Sequence, residues 1–350
     1  MKIAVLVSGG VDSSVALRLL KDQGHDVTAF YLKIWLEDEL SYLGQCPWEE
    51  DLSFVKAVCE QAEVPLQIIN LQKEYWDHVI AFVLAEVKAG RTPNPDILCN
   101  KRVKFGAFHD YLTEDYDYIA SGHYAQIHHH NGRVELFMSP DPIKDQTYFL
   151  AGMSQEQLKK VIFPIGHLTK AELRALARSY NLPNKDRKDS QGICFLGKIK
   201  FTDFIAHHCG QVIGDIVEIE TGKKLGEHPG FFYYTVGQRQ GLKLAGGPWY
   251  VVSKDVKQNI VYVSRSYYED DKIRNYCVIN NLNWLSGTAP DKVNLQVKLR
   301  HGPQKYNCIL LPCGLGEYSI QLASHDQGIA SGQFAVLYDD RVCLGSGVIV

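Results

Sequence analysis

No stretch of this chain is apolar for long enough to cross a membrane as a helix. The run Lys2–Val7 passes straight into Ser8-Gly9-Gly10, no cleavable signal pattern follows it, and no later run reaches membrane length. A cytosolic protein is the expectation. Excess positive charge is also missing: the formal net charge is −3, so any nucleic-acid binding must come from local basic patches. The nine cysteines include no Cys-x-x-Cys pair and lack the dense spacing of a secreted disulfide scaffold. In a reducing compartment most of them should be free thiols. Internal repeats and low-complexity tracts are absent as well.

What is present suits a globular protein of two or three domains. The chain has 350 residues, 45% of them hydrophobic and 22% charged. Over the first 200 or so residues short apolar strands alternate with helical patterns. Strands are expected at Lys2–Val7, Val27–Leu32, Leu66–Leu71 and Tyr116–Ala120, with helices at Ser13–Lys21, Glu49–Glu63 and Glu74–Ala89. That alternation predicts an α/β domain with a parallel sheet, spanning residues 1–200. Ligands in such sheets bind beyond the carboxyl ends of the strands.

After about Phe201 glycine and aromatic residues rise and strand-like runs take over: Val212–Ile219, Phe231–Val236, Tyr250–Ser253, Ile260–Ser264, Val293–Arg300, Tyr318–Leu322, Phe334–Tyr338 and Val342–Val350. They predict two small β-rich domains, residues 201–268 and 269–350, the last a β-barrel, with a seam near Tyr267–Lys272. His128-His129-His130 before Asn131-Gly132 reads as a hairpin turn rather than a metal site, because adjacent histidines in a strand point to opposite faces.

The segment Leu6-Val7-Ser8-Gly9-Gly10-Val11-Asp12-Ser13-Ser14 follows a strand and opens a helix. Its glycines let the backbone approach a ligand closely, and its amides and hydroxyls form an anion cradle. It is neither a Gly-Lys-Ser/Thr loop nor Gly-x-Gly-x-x-Gly. Two further segments carry thiols in polar, turn-rich surroundings. In Arg91-Thr92-Pro93-Asn94-Pro95-Asp96-Ile97-Leu98-Cys99 the two prolines predict an ordered, non-helical loop that holds Asp96 and Cys99. In Lys185-Asp186-Arg187-Lys188-Asp189-Ser190-Gln191-Gly192-Ile193-Cys194 a thiol sits in a net basic loop, and nearby cations raise its thiolate fraction.

The first of these loops resembles the SGGxDS loop of the ATP-pyrophosphatase (PP-loop) family, whose members use ATP to adenylate a carbonyl oxygen. The whole chain resembles the bacterial-type tRNA-specific 2-thiouridylases. Besides Asn94-Pro95-Asp96 with Cys99, it carries Ser121-Gly122-His123-Tyr124-Ala125, Lys144-Asp145-Gln146-Thr147-Tyr148-Phe149-Leu150, Lys188–Phe195, Thr235–Leu242, Pro248–Val252 and Cys343-Leu344-Gly345-Ser346-Gly347. The resemblance implies ATP-dependent 2-thiolation of the wobble uridine of tRNAs for Glu, Gln and Lys. It implies ATP contacts at Leu6, Val7, Ser8, Gly9, Gly10, Val11, Asp12 and Ser13, with Leu32 and Gly122. It places Asn94, Pro95 and Asp96 around the target base, with Asp96 as general acid/base. Cys194 carries a persulfide, Cys99 is the partner nucleophile, and the two pass through a transient disulfide. It further implies tRNA contacts at His123, Lys144, Asp145, Gln146, Arg300, His301 and Gln333.

ATP, Mg²⁺, tRNA and a sulfur donor, either a cysteine desulfurase or a relay protein, are the expected partners. No membrane is expected. The basic groups Lys101, Arg102 and Lys104, and those over Lys185–Lys200, are candidate phosphate contacts. An Fe–S cluster is the less favoured alternative, since such clusters take three or four thiolates. An amide-forming adenylating synthetase and a non-catalytic tRNA-binding protein are the competing readings. The two cysteines are far apart in sequence, so a loop must fold over for their sulfurs to meet.

Overall fold

The computed structural model describes residues 1–34, 48–112, 116–130, 132–189, 201–267 and 274–350. The first part of the chain supplies strands β1 (Lys2–Leu6), β2 (Asp26–Lys33), β3 (Leu66–Asn70), β4 (Tyr118–Ala120), β5 (Ala125–His130), β6 (Arg133–Met138) and β7 (Val161–Ile162). Five of them form a parallel sheet in the order β3-β2-β1-β4-β7. Strand β1 is apolar without interruption because both faces are covered. Ala4 and Leu6 point into one hydrophobic layer, and Ile3, Val5 and Val7 into the other. Each such buried aliphatic side chain contributes about 1.5–3 kcal/mol.

The chain leaves β1 toward β2 on one side, while β4 lies on its other side. The connections after β1 and β4 therefore open at a topological switch point, where α/β sheets bind ligands. The helices Val11–Asp22 and Trp48–Ala62 match their expected positions closely. The expected helix Glu74–Ala89 runs from Gln72 to Lys88 but carries a π turn, Trp76–Ile80, in its middle.

The central domain is built from β8 (Gly214–Glu218), β9 (Lys224–His228), β10 (Tyr250–Asp255) and β11 (Ile260–Ser264), in the order β10-β11-β8-β9. The run Phe231–Val236 is not a strand. It makes a 3₁₀ turn over Phe231–Tyr233 that drops Phe231 and Tyr234 into the domain's core. An apolar run alone could not separate these two outcomes.

The C-terminal strands are β12 (Tyr276–Trp284), β13 (Asn294–Lys298), β14 (Tyr306–Gly314), β15 (Glu317–Leu322), β16 (Phe334–Asp339) and β17 (Val342–Ile349). Pairing in the order β12-β15-β14-β13-β16-β17, and back to β12, closes a six-stranded antiparallel barrel. Strand β12 covers only the later part of β17. The start of β17 pairs instead with β6, Val342 opposite Phe137 and Cys343 opposite Leu136. The hairpin β5–β6, in which His130 faces Arg133, thus extends the barrel's sheet from the N-terminal domain. Within it the His128 ring stacks on Phe137, with centroids 4.1 Å apart.

Candidate active site

The loop after β1 is held in one shape by its own hydroxyls. Ser13 Oγ donates to the Gly10 carbonyl at 3.1 Å and accepts from the Ser8 amide at 3.2 Å, while Ser14 Oγ donates to Gly10 O at 3.0 Å. Gly9 has φ +77°, and a Cβ there would stand 2.6 Å from the Asp51 carbonyl, so glycine is required twice over. Gly10 is the N-cap of Val11–Asp22, whose first-turn amides face the mouth of the loop. Leu6 and Val7 are buried beneath it, and Leu32 lies near the end of the neighbouring strand. The expected ATP-contacting residues therefore converge at the switch point.

Asn184, Asp51 and Lys170, to which the sequence assigned no role, complete this loop, together with Arg187 of the basic group over Lys185–Lys200. Asn184 Nδ2 donates to Gly9 O at 2.8 Å and to Ser14 Oγ at 2.9 Å. Arg187 donates to Gly9 O at 3.0 Å and pairs with Asp51. Burial raises the Asp51 pKa, and Arg187 counters that rise. Lys170 Nζ reaches Asp12 Oδ1 at 2.6 Å and Asp189 Oδ1 at 2.8 Å, and Tyr124 donates its hydroxyl to Asp12 at 3.1 Å. Asp189 also meets Lys144 and Arg174, each at 2.6 Å. Burial alone would raise Asp189, but Lys144 and Lys170 outweigh it and hold its pKa at about 2. The sequence signal for Lys170 is the capping box Thr169-x-x-Glu172, which fixes it at the first helical position.

The segment around Cys99 departs from the loop expected for it. Asn94 caps a short helix, Pro95–Leu98, accepting from the amides of Asp96 at 3.1 Å and Ile97 at 3.2 Å. Pro95 takes the first helical position, where a missing N–H costs nothing, so the proline starts the helix instead of forbidding it. A π-helical stretch, Cys99–Ala107, follows directly. Cys99 is 2% exposed, while Asp96 keeps part of its surface. Gln157 ties this stretch down, donating to Lys101 O at 2.7 Å and Phe105 O at 2.8 Å. Lys101 Nζ is held by Asn283 of β12 at 3.3 Å, and Arg102 donates to His78 O at 3.1 Å. Of the motif that carries Cys194, Lys188 and Asp189 are described, and residues 190–195, Cys194 among them, lie outside the described residues.

Of the other expected contact residues, Asn94, Asp145, Arg300, His301 and Gln333 lie where the barrel meets the N-terminal domain, while His123, Lys144 and Gln146 have their partners within the N-terminal domain. Tyr148 hydrogen-bonds the Asn94 side chain and donates to Phe334 O at 3.1 Å. Thr92 N donates to Ser331 O at 2.8 Å, which brings the extended segment leading to Asn94 close to Gln333. His301 stacks on Phe149, with centroids 4.5 Å apart, and burial lowers its pKa. Arg300 pairs with Asp326 but keeps half its side chain exposed. His123 accepts or shares a proton with Ser121 Oγ at 2.8 Å between the rings of Phe105 and Phe163. Burial, with Lys104 nearby, pushes its pKa well below the usual histidine range, so it is neutral at pH 7. Two expected contacts look inward. Asp145 is 1% exposed and pairs with Lys298, and Gln146 uses its side-chain oxygen to accept from Tyr124 N at 3.0 Å.

Among the described residues no three His, Cys, Asp or Glu side chains are grouped to hold a metal ion. Among the described cysteines outside the site, Cys59, Cys277, Cys308 and Cys343 are buried and Cys209 is half-buried, all five with pKa values raised by burial, and Cys313 is exposed.

Comparison with known proteins covers the whole chain. Residues 1–198 match the tRNA methyl transferase HUP domain, 202–265 the tRNA methyl transferase PRC-barrel domain, and 274–349 the aminomethyltransferase beta-barrel domain. The tRNA-specific 2-thiouridylase MnmA of Parabacteroides distasonis is 44% identical over 356 residues, covering 100% of this chain and 99% of its own length. The chain belongs to the tRNA-specific 2-thiouridylase family. The enzyme of that name from Porphyromonas gingivalis is 43% identical over 359 residues, again with 100% and 99% coverage. Among solved structures, the NMN synthetase of Francisella tularensis overlaps 60% of this chain and 87% of its own, at 17% identity and a TM-score of 0.34. Family membership and the built loop at the switch point together make this an ATP-handling fold with a tRNA-modifying lineage.

Proposed function

We propose that this enzyme replaces the C2 oxygen of the wobble uridine of tRNA with sulfur, at the expense of ATP. Full-length identity of 43–44% to tRNA-specific 2-thiouridylases carries this reading, and the ATP loop at the switch point supports it. The uracil carbonyl is a poor electrophile because oxide is a very poor leaving group. The uridine O2 attacks the α-phosphorus of ATP, pyrophosphate leaves, and the base carries AMP on its oxygen. The amides of the first turn of Val11–Asp22 and the hydroxyls of Ser8 and Ser13 suit the phosphate charge. Asp12 is the carboxylate at the loop mouth that fits a Mg²⁺ ion accompanying the triphosphate.

Sulfur then enters from a persulfide on Cys194. Its outer sulfur attacks C2 and AMP departs with the original oxygen. The Cys99 thiolate breaks the remaining S–S bond, leaving a Cys99–Cys194 disulfide and thiolated tRNA. A thiol reductant restores the pair. In the other order, Cys99 first frees hydrosulfide, which attacks C2, and the same disulfide results. Asp96, partly exposed one turn before Cys99, moves the proton; its exposure beside Cys99 supports that role. A cysteine desulfurase or relay protein supplies the sulfur. The base must leave its stack, which costs least in an anticodon loop. We assign the enzyme to the cytoplasm, where its tRNA substrate is found. Among the described residues no helix is long and apolar enough to cross a membrane.

The test is sulfur incorporation into unmodified tRNA with ATP and a persulfide donor, read by mass spectrometry after nuclease digestion. Wild type gains mass at the wobble uridine and Cys194→Ala does not. If ATP becomes AMP without sulfur entering tRNA, the adenylating chemistry stands and the thiolation reading falls.

A further inference from the structure

We propose that Lys298 is a positioning residue whose buried ion pair with Asp145 fixes the spacing between two tRNA-facing segments, Lys144–Leu150 of the N-terminal domain and Arg300-His301 of the barrel. The inference rests on the tRNA reading above. Lys298 Nζ lies 2.8 Å from Asp145 Oδ2, and both side chains are 0% exposed. On β13, Val297 points into the barrel core, as does Leu299 just beyond the strand, so alternation turns Lys298 outward, against the N-terminal domain. Its ammonium also lies 5.4 Å from the centre of the Tyr338 ring.

The carboxylate is satisfied from its own side of the interface. Asp145 accepts from Ser139 N at 3.2 Å and from Thr147 Oγ1 at 2.9 Å. The rest of the segment continues the seam: Thr147 Oγ1 meets Tyr338 Oη at 3.1 Å, Tyr148 reaches Phe334 O, and Phe149 stacks on His301. One residue before Asp145 is Lys144, and two residues after Lys298 is Arg300, both at or near the surface. The pair is thus the innermost anchor of two segments that each carry an outer basic residue, Lys144 and Arg300.

Stability is a poor reason to keep such a pair. Removing two charges from water costs about as much as their attraction returns, and apolar replacements of similar size are often neutral or better. What an apolar pair lacks is direction. A lysine and a carboxylate with its other lone pairs already committed accept only one register between β13 and the segment. Lys298 has no exposed surface, so it cannot touch tRNA, and any effect of its loss on tRNA must pass through the segments it holds.

The experiment uses the full chain and steady-state thiolation with an unmodified tRNA transcript, ATP and a persulfide donor. Lys298→Met and Asp145→Asn are compared with Leu310→Ala, a cavity in the barrel core that serves as the control for lost stability. Both interface variants are expected to raise the KM for tRNA about tenfold or more and to leave the KM for ATP within about twofold. Leu310→Ala is expected to keep both constants. If Lys298→Met does not fold, the double variant Asp145→Asn/Lys298→Met, which buries no lone charge, is expected to show the same rise. An unchanged KM for tRNA in folded variants overturns the proposal, as does a rise that Leu310→Ala shares. Failure of the wild type to thiolate tRNA would instead remove the underlying reading.

Discussion

Gly122 faces the backbone of Ser13 so closely that a Cβ on it would lie 2.7 Å from the Ser13 amide nitrogen and 2.8 Å from the Asp12 carbonyl carbon. The connection after β4 therefore presses on the ATP loop with no side chain between them. Neither backbone can retreat, since Asp12 is held by Lys170 and Tyr124 and Ser13 by Gly10. Gly122→Ala should displace the loop and raise the KM for ATP by about tenfold or more, because small misplacements of a phosphate cradle are costly. ATP titration of AMP release checks this, and an unchanged KM would show that the contact is slack.

Arg187 links Gly9 to Asp51 across the same loop. Without it Asp51 keeps its burial and loses its partner, so its folded pKa moves further above the unfolded value. A native state with a raised carboxylate pKa binds more protons than the unfolded chain and loses stability as pH rises through that range. Arg187→Ala should therefore destabilise the protein more at neutral pH than near pH 4, by roughly 1–3 kcal/mol at the upper end. Urea unfolding at the two pH values measures the difference. An equal loss at both would detach Asp51 from the effect.

Asp189 behaves with the opposite sign. Its pKa of about 2 lies below the unfolded value, so its contribution is present above about pH 4 and fades as pH falls toward 2. Its side chain is 30% exposed, which screens the interaction, and Asp189→Asn should cost roughly 1 kcal/mol at neutral pH. The gap between variant and parent should narrow on acidification. The same substitution takes the carboxylate from Lys144 and leaves Lys170 with Asp12, so a change in ATP or tRNA KM is expected beside the loss of stability.

Brief alkylation separates the cysteines by exposure. Among the described cysteines Cys313 is exposed and should be labelled first. Cys59, with its pKa pushed to about 11, and Cys277 and Cys308, at about 12, should stay unmodified at neutral pH. Cys99, 2% exposed, should react slowly in the free protein. Peptide mapping by mass spectrometry gives the order, and fast labelling of Cys99 would mean that its helix opens without tRNA. Cys99→Ser should lower thiolation by at least about a hundredfold while AMP formation continues.

The parts of the fold that could be read from sequence were those written in local chemistry. The strand–glycine–helix turn at Leu6–Ser14 needs its own residues to make its shape, and it lies where the pattern put it. Pro95 shows the limit of such reading, because a proline breaks a helix inside and begins one at the edge, and only the Asn94 cap decides which. The pairing of β6 with β17 and the Lys298–Asp145 contact join residues some 200 and 153 positions apart, and no local pattern announces them. Asp145 and Gln146 stood in a motif that reads as surface contact. Their neighbours in space bury Asp145 and engage the side-chain oxygen of a half-buried Gln146.

The hairpin that β5 and β6 lend to the barrel also sets an order of assembly. Met138 accepts from Arg341, 203 residues later, so during synthesis β6 leaves the ribosome long before its partner strand exists. Domains fold from the N-terminus as they emerge, and in that interval β6 presents an unpaired edge, the kind of surface on which nascent chains adhere to one another. The barrel cannot be removed from this protein without reopening that edge, so the strand that closes the barrel is also the one that seals the first domain.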